Sequence, residues 1–161
     1  MTLRLRGRSS VVVRSLPAQT TRRPVVLATL EAPLTAEAAS FAVDAAVESG
    51  QPLIVVNAVE SLLQPCALVL GYDTIVPPDV EESLRAPAEL AHSLGVEVER
   101  LRLRSPRPVD ALLQLVAERA PGLLVLGPDP TRIRARRLRK ATRRIERDAG
   151  CLVWSAIDGP R

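Results

Sequence analysis

From Pro24 onward, short apolar runs alternate with longer stretches of helical periodicity. Val25-Val26-Leu27-Ala28 and Leu53-Ile54-Val55-Val56 are unbroken apolar runs of strand length, the pattern of strands covered on both faces. Between them Thr35 is placed to cap a helix. Ala38, Phe41, Ala42 and Ala45 share one face of that helix, and Gly50 supplies its stop. Residues 60–77, with Pro65, Gly71-Tyr72 and Pro77-Pro78, read as a long connection. Asp79 then opens a second helix with Glu81 and Glu82 in its first turn and Val80, Leu84, Ala88, Ala91 and Leu94 as its apolar stripe. Pro87 lies inside that stripe and predicts a kink near Ser83; Gly95 closes the helix.

Val96, Val98, Leu101 and Leu103 alternate loosely with charged residues, as in a strand near a sheet edge, and a helix follows from Val109 with Leu112, Leu115 and Val116 turned inward. Leu123-Leu124-Val125-Leu126, ending at Gly127, is the clearest buried strand. After the Pro128-Asp129-Pro130 turn, Thr131 is placed to cap a basic helix running to about Ala149, and Cys151-Leu152-Val153-Trp154 opens a last strand. Five strands separated by helical crossovers predict an α/β domain with a parallel sheet and right-handed connections. Ligands in such folds sit beyond the carboxyl ends of the strands, where strand order switches. That rule points to residues 29–32, 57–60 and 127–131.

At 161 residues the chain has the length of one domain with a sizeable core. With aromatics at only 2%, Ala, Val, Leu and Ile must fill that core, and stacking platforms for exposed bases are scarce. No apolar run reaches membrane-spanning length. Cys66 and Cys151 lie far apart without metal-ligand or redox spacing, which suits the reducing cytoplasm. A single lysine amid abundant Ala, Arg, Pro and Val suits a GC-rich bacterial genome.

The net charge of +4 is unevenly spread. Residues 1–24 carry six arginines and no acid, residues 25–130 six arginines against fifteen acids, and residues 131–161 nine arginines and Lys140 against three acids. The first block lacks the apolar core of a secretory signal and reads as a flexible basic extension over 1–23, ahead of a domain over 24–161; Leu3 and Leu5, alternating with Arg4 and Arg6, also suit a short added strand. The last block concentrates Arg132, Arg134, Arg136, Arg137, Arg139, Lys140, Arg143, Arg144 and Arg147 on one helix, with Ile133, Leu138, Ala141, Ile145 and Ala149 as the stripe that packs it on the sheet. Such a helix is a solvated face neutralised by the acidic middle of the chain, or a binding surface for an acidic protein or an anionic ligand. Nothing in the pattern supplies a base-reading element, so nucleic acid is not the expected partner.

In order and spacing, the runs VVLATLEAPLTAEAASFAVDAAVESG, PVDALLQLVAERAPGLLVLG and ERDAGCLVWSAI resemble the universal stress protein family over roughly residues 24–157. The resemblance implies a doubly wound, five-stranded parallel sheet in the order 3-2-1-4-5 with helices on both faces. It also implies homodimers formed through the last strand, here Leu152, Val153 and Trp154. Many members bind ATP through an acid after the first strand and a G-x-x-G-x9-G-[S/T] loop whose backbone N–H groups approach the phosphates. Here Gly127 fits the first glycine, but Pro130, which has no N–H, takes the second place. Lys140 and Ala141 stand at the distal pair, with Thr142 one residue late, and Leu30 stands where the acid belongs, with Glu31 adjacent.

No catalytic constellation is visible. His92 has no ligand or acid–base partner nearby in sequence, the serines lack a nucleophile-elbow context, and Glu81-Glu82 suit a helix start. The sequence therefore predicts a non-catalytic, dimeric stress-response or regulatory interaction protein of the cytoplasm, with no resident cofactor and no ATP binding of the family's usual kind. The alternative is a module that binds a nucleotide or another phosphate-bearing ligand in an altered site around Gly127, Thr131, Arg132, Val56 and Thr142.

Overall fold

The computed structural model describes residues 21–61 and 76–156. Most of the basic extension, Cys66 and nearly all of the 60–77 connection lie outside the described residues. The elements run β1 (Val25–Leu30), α1 (Ala36–Ser49), β2 (Leu53–Glu60), α2 (Pro78–Ser93), β3 (Val98–Ser105), α3 (Pro108–Arg119), β4 (Leu123–Leu126), α4 (Ala135–Asp148) and β5 (Leu152–Ser155). The sheet is wholly parallel, in the order β3-β2-β1-β4-β5. Strand order therefore switches between β1 and β4, as expected.

Alternate residues of the central strands enter two cores. Val25, Leu27, Leu53 and Val55 meet α1 and α2, while Val26, Ala28, Ile54, Val56, Leu124 and Leu126 meet α3 and α4. The largest fully buried side chains are all Leu, Ile or Val, so aliphatic burial supplies most of the hydrophobic stabilisation. Among the described residues the two aromatic side chains, Phe41 and Trp154, flank that core. Phe41 is 38% exposed, outside the inward face that helical periodicity assigns it, and stacks on Trp154 with centroids 4.7 Å apart. No helix among the described residues is long and apolar enough to cross a membrane.

Several boundaries differ from the sequence pattern, each for a local reason. β2 continues four residues past Val56 to Glu60, because every residue from Leu53 to Glu60 pairs with β3. α2 starts at Pro78, whose missing N–H costs nothing at the first helical position, so Asp79 sits in the first turn and is not the cap. Leu94 lies past the end of α2 and is 54% exposed, so it drops out of the stripe. α2 runs on through Pro87 as one helix to Ser93. The Ser83 hydroxyl there donates to the Val80 carbonyl and accepts from Leu34 N–H, tying α2 to the β1–α1 loop. α4 starts at Ala135, not behind Thr131, and has no side-chain cap. Thr131 is instead drawn into a tight turn by Asp129, whose carboxylate accepts from its N–H (2.9 Å) and its hydroxyl (2.7 Å).

Thr35 does cap α1, accepting from Ala38 N–H, and Gly50 ends it in the left-handed conformation at φ 64°. At the other end of the molecule, Arg22 pairs with Glu97 at 3.0 Å and Arg23 N–H donates to Gln51, fixing the chain where it enters β1.

Candidate functional site

Beyond the carboxyl ends of β1 and β2, on the α3/α4 side of the sheet, lies an open groove of about 790 Å³, within the range of small-molecule sites. Its floor is apolar: Leu30, Val109, Ile133, Leu138 and Ala141. Six cationic side chains line it (Arg107, Arg132, Arg134, Arg137, Lys140 and Arg144) against three carboxylates, Glu31, Glu60 and Asp110. α4 brings in three of the cations, Arg137, Lys140 and Arg144, on one helical face, and Ala141 between them leaves room above the sheet. The opposite wall is the β3–α3 turn, Pro106-Arg107-Pro108, with the amino end of α3 behind it.

The charges are already partly matched. Arg137 reaches Glu60 at 2.6 Å and Glu31 at 3.5 Å. The other oxygen of Glu31 accepts the Glu60 N–H, and Glu31 itself sits at φ 60°, a left-handed backbone that a residue with a side chain adopts only when held there. Arg144 pairs with Asp110, and Arg132 reaches Asp79 on α2 at 2.8 Å. All these pairs are partly exposed and worth little to stability individually. Their importance is positional, because they set where the cations point.

The candidates read from sequence divide. Arg132 lines the groove. Thr131 is exposed and engaged by Asp129 in the turn before it. Its hydroxyl holds the Asp129 carboxyl below the usual aspartate range, with help from the Thr131 N–H. Val56 is fully buried between β1 and β3 in the sheet. Thr142 is buried on α4, its hydroxyl without a hydrogen-bond partner among the described residues.

Gly127 has a packing role. A Cβ there would stand 2.1 Å from that of Ala38, so only glycine lets α1 approach β4 this closely. Its N–H and carbonyl are both taken, by Ala28 O and Thr35 N–H. Pro128 bridges to Leu34, and Asp129 N–H donates to Pro33 O, so the β4–α4 turn is knitted to the β1–α1 loop. With Pro130 contributing no N–H, groove cations come from side chains in place of a backbone cradle.

Arg107 and Asp110 were missed by the sequence reading. They follow the carboxyl end of β3, so the rule that singled out the ends of β1, β2 and β4 applies equally to them. Among the described residues no three His, Cys, Asp or Glu side chains gather as a metal site. Cys151 is partly buried, and burial pushes its thiol upward.

The model of the universal stress protein family matches residues 21–154. The chain belongs to that family. Solved universal stress proteins share its fold. One crystallised in complex with cAMP is 24% identical with a TM-score of 0.59, over 83% of this chain and 96% of that one. A second, from Archaeoglobus fulgidus, is 20% identical with a TM-score of 0.59, over 83% and 92%. A third, also from Archaeoglobus fulgidus and in complex with dAMP, is 18% identical with a TM-score of 0.55, over 83% and 96%. No curated protein matches the chain. At these identities the likeness establishes the fold of this universal stress protein, and its groove has to be read from its own residues.

Proposed function

We propose that this universal stress protein is a non-catalytic binding domain of the cytoplasm whose groove takes a phosphate-bearing ligand through arginine and lysine side chains. The observation that carries the reading is the wall of six cations against three carboxylates around an apolar floor. Guanidinium groups present paired N–H donors to phosphate oxygens, and a groove with low-dielectric walls strengthens their field. Relatives of this fold have been crystallised with cAMP and with dAMP, which agrees with a phosphate-bearing ligand.

The reading differs from the family's glycine-loop mode. A triphosphate lying along a loop would meet Pro130, Lys140 and Ala141 in place of the glycines and hydroxyl, so side-chain attraction must do the holding. Calorimetry with ATP, GTP and tripolyphosphate at low and moderate salt tests this. Binding of all three, similar in strength and weakened by salt, is the expected result. Adenine-selective binding indifferent to salt would instead mean a shaped nucleotide cradle, and absence of binding at low salt would end the reading.

A separate observation favours self-association. Among the described residues β5 is a sheet edge, Leu152 on it is 70% exposed, and Val153 and Trp154 are only partly covered. An open edge with apolar side chains is a natural template for a second copy. Light scattering should give a dimer, and Val153→Lys should shift it toward monomer by at least about tenfold in dissociation constant. A monomer at every concentration removes this part of the proposal.

A further inference from the structure

In the groove, one guanidinium faces two carboxylates. Arg137 on α4 reaches Glu60 at 2.6 Å and Glu31 at 3.5 Å, and these acids stand at the carboxyl ends of β2 and β1. Glu31 is held there deliberately by the fold. Its backbone is left-handed at φ 60°, and both oxygens are engaged, one by the Glu60 N–H and one by Arg137. A residue with a side chain keeps such a backbone only where its surroundings over-determine it. By contrast, Arg134 and Lys140 line the same groove without an ion pair among the described residues.

We infer that Glu31 and Glu60 are a built-in competitor for the ligand's anionic group: they hold Arg137 in the empty groove, and a phosphate-bearing ligand must take Arg137 over from them. The inference rests on the anion-binding reading above and adds its regulation. The physics is exchange at one cation. Arg137 has five N–H donors in one plane, and the two carboxylates occupy the positions that phosphate oxygens would take. A bound phosphate left beside both acids would meet like charges at short range, which costs affinity. Arg134 and Lys140 supply the first attraction, and exchange at Arg137 follows it. The groove is therefore set to bind more weakly than its cations alone allow, and whatever neutralises or moves the two acids raises its affinity.

The test is calorimetry of the full chain with tripolyphosphate at low salt, comparing the native sequence, Glu31→Gln/Glu60→Gln, each single variant, and Glu37→Gln/Glu48→Gln. The last pair makes the same charge change on exposed α1, across the sheet from the groove. Removing the groove acids should tighten binding by at least about tenfold, and the α1 control by about twofold or less. The same acid-to-amide changes made in an Arg137→Gln background should give less than about a third of that tightening, because the contested cation is gone. Amide variants keep the shape and hydrogen-bond acceptors at both positions, and the single variants report if the double variant is damaged.

Binding that is unchanged or weaker without the groove acids overturns the inference while leaving the anion-binding reading intact. An undiminished gain in the Arg137→Gln background does the same, since Arg137 would not be the shared cation. Failure of the native chain and every variant to bind removes the reading of the groove and this inference together.

Discussion

The two faces of the sheet are built differently. On the α1/α2 face, small side chains let helices sit close: Ala38, Ala42, Ala46 and Ala91 are fully buried, and Gly127 admits α1 against β4. α1 is capped at both ends, by Thr35 and Gly50, and carries Glu37, Asp44 and Glu48 with no basic residue. On the other face α4 has no side-chain cap and packs its seven basic residues outward or toward the groove. It is fixed by Leu138, Ala141 and Ile145 in a single narrow stripe. α1 is specified by local helix signals and close packing. α4 trades those signals for charge, and its position depends on tertiary burial. A groove wall built on the second kind of helix can be dense in arginine because nothing local is asked of those residues.

The most severe way to break the contrast is to remove the stripe. Ile145 is fully buried, and Ile145→Ala should cost about 2–5 kcal/mol in urea denaturation. A loss well under that would mean α4 is held by its ion pairs after all. Next comes the close approach on the opposite face. Gly127→Ala puts a methyl where Ala38 already stands, and should cost about 1–3 kcal/mol. A neutral outcome would show that α1 can slide away easily, and that the glycine belongs to the groove's chemistry.

The caps sharpen the comparison at a smaller scale. Thr35→Ala should lower stability by about 1 kcal/mol, since it removes a real N-cap. Thr131→Ala should stay within about 0.5 kcal/mol, because Thr131 caps no helix. Equal losses would place Thr131 at a helix start in solution.

The smallest effect is a titration. NMR of Asp129 should show it ionising below the usual aspartate range, and Thr131→Ala should move it back up, since the Thr131 hydroxyl is the largest cause of the shift. The folded-state value is depressed, so the favourable contribution exists above the unfolded pKa and is lost as pH falls through the folded one. An Asp129 titration unmoved by Thr131→Ala would mean the turn opens in solution.

Much of this was legible because it is local. Thr35 and Gly50 mark the ends of α1 by their own conformational preferences, and Leu123 to Leu126 read as a buried strand from composition alone. The same local logic failed at Thr131, where a nearby carboxylate, Asp129, draws both its hydroxyl and its N–H into a turn and the helix starts only at Ala135. It failed again at Val56, where pairing with β3 carried the strand four residues further. Neither competitor is visible in hydrophobic periodicity.

The altered loop was readable, since Pro130 lacks an N–H in any fold. The groove itself was not. Its charges come from residues 31, 60, 107, 110, 132, 134, 137, 140 and 144, which only the strand order brings together.

The sequence by itself determined the alternation of strands and helices, the aliphatic core, the charge blocks and the loss of the glycine-based phosphate loop. Each of these is a property of residues or of short spacings. Only the tertiary structure decided that the basic helix faces the ends of β1 and β2, that Glu31 and Glu60 share Arg137, and that Gly127 serves packing against Ala38. The reason is distance along the chain: Glu31 and Arg137 meet through the parallel pairing of β1 with β2 and β4 and the packing of α4, and no local preference encodes an encounter between residues so far apart.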